Sequence, residues 1–307
     1  MRKDETFLNS KVDGRKIHTV FWEPETEPRA VVQIAHGMSE HIGRYEPFAS
    51  FLCENGIAAA GHDHLGHGQS ARGEGDLGFF AEGEHEDAVV RDIRTVTNEC
   101  KRRFPGLPVF LLGHSMGSFF VRRFLSLYSG ELAGAILLGT GWFPSPLAGT
   151  GLFLSRAVCR FKGEKAVSPL LERLVRGRGK KAFPEEGEDA WLSSDPETVR
   201  IFEADPLCGF PFTAGAYRDF FAVMKSVADE EDYDAVRKTL PVLVASGERD
   251  PVGGRKAVEK VAAQYRRLEL TDVTAKVFPG DRHEILNEKD RDEVRAYLLG
   301  WLNARIR

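Results

Sequence analysis

Short apolar runs alternate with longer amphipathic segments along most of the chain, and this alternation restricts the possible fold more than any other feature. Six runs of four to six residues are typical of strands, and four of them are almost continuously apolar, as expected for strands buried on both faces of a sheet. They span residues 30–35, 57–60, 109–112, 135–138, 242–245 and 274–278. This order predicts an α/β fold with a mostly parallel central sheet flanked by helices.

Amphipathic helices are indicated between these runs. Val89, Ile93, Val96 and Cys100 recur at the spacing of one helical face. A second apolar face near the end of the chain comprises Val294, Tyr297, Leu298, Trp301 and Leu302. Residues 15–22 are predicted to add an antiparallel edge strand.

The alternation stops between residues 142 and 229, where prolines and short helix-like segments such as SPLLERLV replace it. We therefore predict one core built from residues 1–141 and 230–307, with residues 142–229 inserted as a helical cap. Within the insertion, residues 160–181 carry eight Lys or Arg against two Glu. This basic run is either a solvated helix face or an electrostatic guide for an anionic substrate or membrane surface.

Overall charge and hydropathy exclude several classes of protein. The net charge of −4 gives no indication of nucleic-acid binding. No apolar run approaches the length that crosses a bilayer, and the first residues lack the apolar region of a signal peptide. The four cysteines are widely scattered and form no metal-type pair. We expect a cytoplasmic protein, with peripheral membrane contact left open.

The strongest local motif is Gly113-His114-Ser115-Met116-Gly117, a G-x-S-x-G pattern. Alone it is weakly specific, but an apolar strand runs directly into it and a helical pattern follows. A serine on such a tight strand-to-helix turn is held out of the sheet, with small residues on both sides. Ser115 is therefore the candidate nucleophile.

A serine hydroxyl is a poor nucleophile without a base, so a histidine is required. In enzymes with this turn, the acid and then the histidine follow the serine along the chain. Eight of the nine histidines precede Ser115, and only His283 follows it. His283 lies in a loop after the last predicted strand, where ligands of parallel sheets gather. It is the candidate base.

The acid that orients the histidine is expected between these two residues, again after a strand. Asp250 meets this condition, since it follows the run 242–245 and a glycine turn. Glu248 is the rival, and Asp281 is less suitable because it lies so close to His283 in sequence. Two backbone amides should stabilise the oxyanion, and we assign them to Met38 and Met116, each just after a strand.

Five stretches resemble the monoacylglycerol lipase and lysophospholipase branch of the α/β-hydrolase superfamily. They are HGMSEHIGRY (36–45), GHDHLGHGQS (61–70), LLGHSMGS (111–118), SGERDPVG (246–253) and DRHEILNE (281–288). The resemblance implies an α/β-hydrolase fold, with Ser115, Asp250 and His283 as the triad and the Met38 and Met116 amides as the oxyanion hole. The cap region matches much less clearly.

His62, His64 and His67 raise the alternative of a zinc site. Zinc hydrolases with an H-x-H-x-D-H pattern place an acid before the last histidine, where this chain has Gly66, and they need further ligands downstream. The resemblance implies instead that residues 63–70 form a structural loop. We expect the histidines to support this loop through hydrogen bonds to backbone carbonyls.

The resulting hypothesis is a carboxylic ester hydrolase of lipid metabolism that works through an acyl-enzyme and needs no cofactor or metal. The expected substrate is a small amphipathic ester, such as a monoacylglycerol or a lysophospholipid. Residues 147–161 are apolar enough to bind an acyl chain or touch a micelle or membrane, although core packing explains them equally well. An aminopeptidase or amidase with the same triad, a zinc hydrolase and a non-catalytic binding module remain alternatives, and the oligomeric state is not indicated.

Overall fold

The computed structural model describes residues 1–306, which form one eight-stranded sheet with helices on both faces. The strands are β1 (Arg2–Asn9), β2 (Lys16–Glu23), β3 (Val31–Ala35), β4 (Ala58–His62), β5 (Val109–His114), β6 (Gly134–Leu138), β7 (Val242–Gly247) and β8 (Val273–Phe278). The α-helices are α1 (Glu46–Glu54), α2 (Ala88–Arg103), α3 (Met116–Tyr128), α4 (Ser145–Lys162), α5 (Pro169–Val175), α6 (Pro196–Ala204), α7 (Ala214–Ala228), α8 (Gly254–Arg267) and α9 (Arg291–Asn303).

The strand order is β1-β2-β4-β3-β5-β6-β7-β8, and the strands from β3 to β8 run parallel. The predicted α/β fold is therefore confirmed. The predicted antiparallel strand at residues 15–22 is confirmed as β2, but its predicted edge position is wrong, because β2 pairs with both β1 and β4. The edge strand on this side of the sheet is β1. It was not predicted from the sequence, because most of its residues are charged or polar and its exposed face is solvated.

Each face of the sheet carries its own apolar core. In β3, Val31 and Ala35 pack with the side chains of α2, α3 and α8. Val32 and Ile34 point the other way, into a second core shared with α1 and α9. Alternate residues of one strand are thus buried on opposite faces, which is why the sequence shows a continuous apolar run instead of alternation.

The order of the strands places a topological switch point between β3 and β5. The chain leaves β3 toward β4 on one side and returns to β5 on the other. The loops that follow β3 and β5 therefore separate at the carboxyl edge of the sheet, where Ala35 lies opposite Gly113. Ligands of open α/β sheets bind at this kind of crevice.

Four helices, α4 to α7, lie between β6 and β7, within the segment predicted to be inserted, and we refer to residues 142–229 as the cap. Helix α7 is almost completely buried and packs against α3 and α4. Gly151 of α4 allows this approach, because a Cβ atom there would overlap the ring of Phe221. Every helix within residues 1–306 is too short or too polar to cross a bilayer.

Candidate active site

Ser115 occupies a strained turn between β5 and α3. Its φ of 51° and ψ of −119° lie outside the regions that non-glycine residues favour. The turn is fixed by the Ser115 amide, which donates to the carbonyl of Leu138 over 2.9 Å. Such strain persists only where the surrounding structure enforces it, and it commonly marks a functional position.

Glycines on both sides of Ser115 make the turn possible. A Cβ atom at Gly113 would lie 2.6 Å from the carbonyl oxygen of Gly117. A Cβ atom at Gly117 would overlap the carbonyl oxygens of Ala35 and His36. Both glycines are therefore required by the close approach of α3 to β3 and β5, as the G-x-S-x-G pattern predicts.

His283 and Asp250, both buried, meet at the carboxyl edge of the sheet. Nδ1 of His283 lies 2.9 Å from Oδ1 of Asp250. The contact lacks the alignment of a hydrogen bond, as is common for catalytic pairs before substrate binds. Among the described residues, Nε2 of His283 has no hydrogen-bond partner. It is thus available to a group in the cavity that Ser115 and His283 both line.

The cap holds the loop that carries His283. The His283 amide donates to the carbonyl of Trp191 over 3.3 Å, and the Glu284 amide donates to that of Leu192 over 2.7 Å. The Trp191 ring lies 4.8 Å from the His283 ring, centroid to centroid. The position of the candidate base therefore depends on contacts from an element that the sequence separates from it by about ninety residues.

The surroundings of Asp250 keep its carboxylate ionised. Burial by itself would raise its pKa, but the neighbouring His283 and two hydrogen bonds outweigh this and lower the pKa below its ordinary value. The bonds come from the hydroxyl of Ser246 at 2.7 Å and the amide of Val252 at 2.8 Å. An ionised, fixed carboxylate is what stabilises an imidazolium during proton transfer.

Neither rival acid is placed in this way. Glu248 is exposed and pairs with Arg255 at 2.9 Å. Asp281 is buried, and burial together with the carboxylate of Asp290 raises its pKa to about 8. A carboxyl group that is largely protonated at neutral pH is poorly suited to hold an imidazolium, so the geometry favours Asp250.

The loop after β3 brings Met38 to the cavity opposite Ser115. Its neighbouring amides are already bonded: Gly37 donates to Oε1 of Glu40 over 2.5 Å, and Ser39 donates to Nε2 of His67 over 3.3 Å. The amides of Met38 and Met116 donate to no acceptor within residues 1–306. Both residues line the same cavity, so their amides could meet a substrate oxygen there.

A buried charge network behind this loop was not found by sequence reasoning. Arg44 donates to Oε2 of Glu40 over 2.5 Å and holds Glu284 through two bonds of 2.8 and 2.7 Å. Glu40 also accepts from the hydroxyl of Tyr45 and lies 3.3 Å from Nδ1 of His114. Burial opposes ionisation of Glu40, yet Arg44 and His114 bring its pKa well below the ordinary value. The only sequence signal is the i, i+4 spacing of Glu40 and Arg44.

The histidine cluster is engaged in hydrogen bonds. Nε2 of His64 lies 3.2 Å from the carbonyl of His36, and Nδ1 of His67 lies 3.1 Å from that of Leu65. The remaining nitrogen of His64 faces His62 at 3.2 Å. Burial lowers the pKa of His62 and of His67 to about 3. These contacts favour the structural interpretation of the loop over a zinc site.

The cavity that Ser115 and His283 both line extends from the Ser115 turn to side chains of α4, α5 and α7. Most of its walls are apolar side chains from α3 and the cap. They include Phe119, Phe143, Leu147, Ala148, Leu174, Val175, Phe220, Phe221 and Met224. Polar groups cluster at the Ser115 end, with the flanking carboxylates of Glu40 and Glu284 both paired to Arg44.

A model of the family described as serine aminopeptidase, S33, matches residues 26–290. The chain belongs to this family. A monoacylglycerol lipase from Mycolicibacterium smegmatis is 33% identical, covering 99% of this chain and 98% of that protein. Human monoglyceride lipase is 28% identical, covering 95% and 86%. The structure of a thermostable carboxyl esterase from Bacillus coagulans superposes with a TM-score of 0.91 at 28% identity, covering all of both chains.

These similarities confirm the predicted α/β-hydrolase fold and the predicted branch of the superfamily, which includes monoglyceride lipases. The predicted enzyme class, a carboxylic ester hydrolase, is confirmed as well.

Proposed function

We propose that this family member hydrolyses monoacylglycerol- or lysophospholipid-type esters through a Ser115–His283–Asp250 triad and a covalent acyl-enzyme. The observation that carries the proposal is the strained Ser115 turn, which lines a mostly apolar cavity together with His283. Support comes from relatives that are themselves a monoacylglycerol lipase and a monoglyceride lipase.

In the proposed mechanism, Ser115 attacks the ester carbonyl while Nε2 of His283 takes its proton. The oxyanion is stabilised by the amides of Met38 and Met116. The imidazolium, held by Asp250, then protonates the leaving alcohol, and His283 next activates water to release the fatty acid. No step requires a cofactor.

The cavity walls predict how activity should depend on the acyl chain. Each methylene placed against the apolar side chains of α3 and the cap adds favourable burial, about 0.8 kcal/mol when complete. We therefore expect kcat/KM to rise at least about tenfold from acetyl to octanoyl monoesters of glycerol. Initial rates on acetyl to oleoyl monoacylglycerols, and on lysophosphatidylcholine, measure this dependence. A flat response would exclude a lipid preference.

Aminoacyl anilides, tested in the same assay, address the aminopeptidase alternative. Such a substrate needs a carboxylate to hold its ammonium group, but Glu40 and Glu284 are both engaged by Arg44. We expect ester turnover to exceed anilide turnover by a large factor. Faster cleavage of the anilides would replace the lipase proposal with peptide hydrolysis by the same serine.

We also propose that the outer surface of the cap contacts the lipid aggregate that holds the substrate. Leu147, Phe153 and Phe161 of α4 are 52%, 71% and 84% exposed. Leu170 and Leu174 of α5 are also exposed, and Leu147 and Leu174 line the cavity as well. Exposed apolar side chains at a cavity entrance are typical of surfaces that meet lipid or another protein.

Replacing Phe153 and Phe161 together by Ser should therefore weaken binding to phospholipid vesicles, because two large apolar side chains no longer enter the interface. Vesicle flotation measures the binding, and turnover of a soluble butyrate ester serves as the internal control and should not change. Equal vesicle binding by the wild type and the double variant would contradict the proposed contact.

A further inference from the structure

A group of three side chains with different metal-binding atoms lies beside the active-site cavity and takes no part in the mechanism above. His41 contributes an imidazole, Asp205 a carboxylate and Cys208 a thiol, and their ligand atoms lie within 4.8 Å of one another. Nε2 of His41 is 2.9 Å from Oδ2 of Asp205. All three residues are half-buried, so an ion can reach them from solvent.

The backbone fixes this cluster from two parts of the fold. A turn brings Asp205 and Cys208 together, since the Cys208 amide donates to the Asp205 carbonyl over 3.0 Å. Oδ1 of Asp205 is already used within this turn, because it accepts from the Leu207 amide at 2.8 Å, which leaves Oδ2 facing His41. The Gly209 amide donates to the carbonyl of Ser39 over 2.9 Å and so holds the turn against the loop that carries His41.

We propose that His41, Asp205 and Cys208 bind a divalent transition-metal ion of the zinc class. Nitrogen, thiolate and carboxylate ligands suit zinc and its close relatives, whereas calcium and magnesium prefer sites made only of oxygen. One carboxylate and one thiolate balance the two positive charges. Three protein ligands leave the fourth tetrahedral position to water.

Binding requires the Cys208 thiol to lose its proton, which passes to solvent as the metal–sulfur bond forms. Each ion bound should therefore release a proton. Metal affinity consequently falls as the pH is lowered.

The proposed site lies between the core and the cap. His41 belongs to the core and lies three residues after Met38, while Asp205 and Cys208 belong to the cap. One ion bound to all three would join the candidate oxyanion loop to the cap. The inference does not depend on the proposed catalytic roles, since it rests on a different set of side chains.

Titration of the untagged, fully reduced protein with Co²⁺ tests the proposal, because Co²⁺ bound by a thiolate has an intense near-ultraviolet charge-transfer band and tetrahedral Co²⁺ has strong visible bands. We expect one equivalent to bind with both signals, and Zn²⁺ to displace it. Cys208→Ser should abolish the charge-transfer band. His41→Gln and Asp205→Asn should each weaken binding at least about tenfold.

Cys159→Ser is the matched control, since this half-buried cysteine of α4 lies outside the cluster and its variant should keep the band. Ser115→Ala should also keep it, which separates this result from any failure of the catalytic proposal. A band that survives in Cys208→Ser, or disappears in Cys159→Ser, would overturn the site. So would the absence of stoichiometric Co²⁺ binding by the reduced, folded wild type.

Discussion

Replacing Ser115 with Ala is expected to lower turnover of a soluble ester by on the order of a million-fold. The reason is chemical: among the described residues that line the cavity, Ser115 is the one whose hydroxyl stands on a strained turn. The small activity that remains is expected to come from substrate binding and from the oxyanion amides, which the substitution does not remove. Steady-state kinetics with a butyrate ester gives the magnitude.

The matched control for this variant is Ser126→Ala. Ser126 is buried on the same helix. Its hydroxyl donates to the carbonyl of Arg123 and accepts from the Arg123 guanidinium, and it does not line the cavity. Turnover should stay within about threefold of the wild type, as expected for a residue outside the site. A Ser115→Ala variant that is folded and keeps more than a hundredth of the activity would contradict the nucleophile assignment.

Covalent labelling separates the serine mechanism from a metal-dependent one. A fluorophosphonate should add once to the wild type, on Ser115, both with and without a chelator, and should not add to Ser115→Ala. Intact mass followed by peptide mapping locates the adduct. Labelling elsewhere, or turnover that disappears with the chelator in His41→Gln as well as in the wild type, would return attention to His62, His64 and His67.

Asp250→Asn is expected to reduce kcat by about ten-thousand-fold, the loss typical when the acid of a triad becomes an amide. Asp250 accepts hydrogen bonds from Ser246 and Val252 and faces Nδ1 of His283 at 2.9 Å. An amide nitrogen in place of the carboxylate oxygen favours the wrong tautomer of the histidine and removes the charge that stabilises its protonated form.

Glu248→Gln is the control, because it makes the same chemical change two residues away. Glu248 is exposed and contacts Arg255. Turnover by the Glu248→Gln variant should therefore equal that of the wild type within about twofold. The kcat values of both variants on one soluble ester decide the assignment. If Glu248→Gln lost more activity than Asp250→Asn, the acid of the triad would have been misassigned.

The charge network of Glu40, Arg44 and Glu284 explains how the candidate oxyanion loop keeps its shape in a partly polar cavity. The carboxylate of Glu40 accepts from the Gly37 amide and pairs with Arg44, which also holds Glu284. Leaving such a buried charge unpaired would be strongly destabilising. The pairing therefore fixes the loop and engages both carboxylates with the same guanidinium.

Most of the fold was predictable because the strands are buried on both faces and so form short apolar runs. Residues 30–35 and 109–112 coincide with β3 and β5 within two residues at each end. β1 was missed, since its exposed charged residues carry no such pattern. Its place is set by pairing with β2, a contact that involves the backbone and leaves no mark in the hydrophobic pattern.

The sequence by itself predicted an α/β fold with a mostly parallel sheet, a tight turn at Ser115 and His283 as the candidate base, because strand burial, glycine geometry and chain order are local or sequential properties. The sequence also placed Asp250 ahead of its rivals, but the physical reason for preferring it is found only in the tertiary structure, since the surroundings of a carboxylate depend on what folds against it. The tertiary structure also brought together Glu40 and Glu284, and His41 and Cys208. These pairs are separated by more than 160 residues, and the sequence pattern contains no signal that connects them.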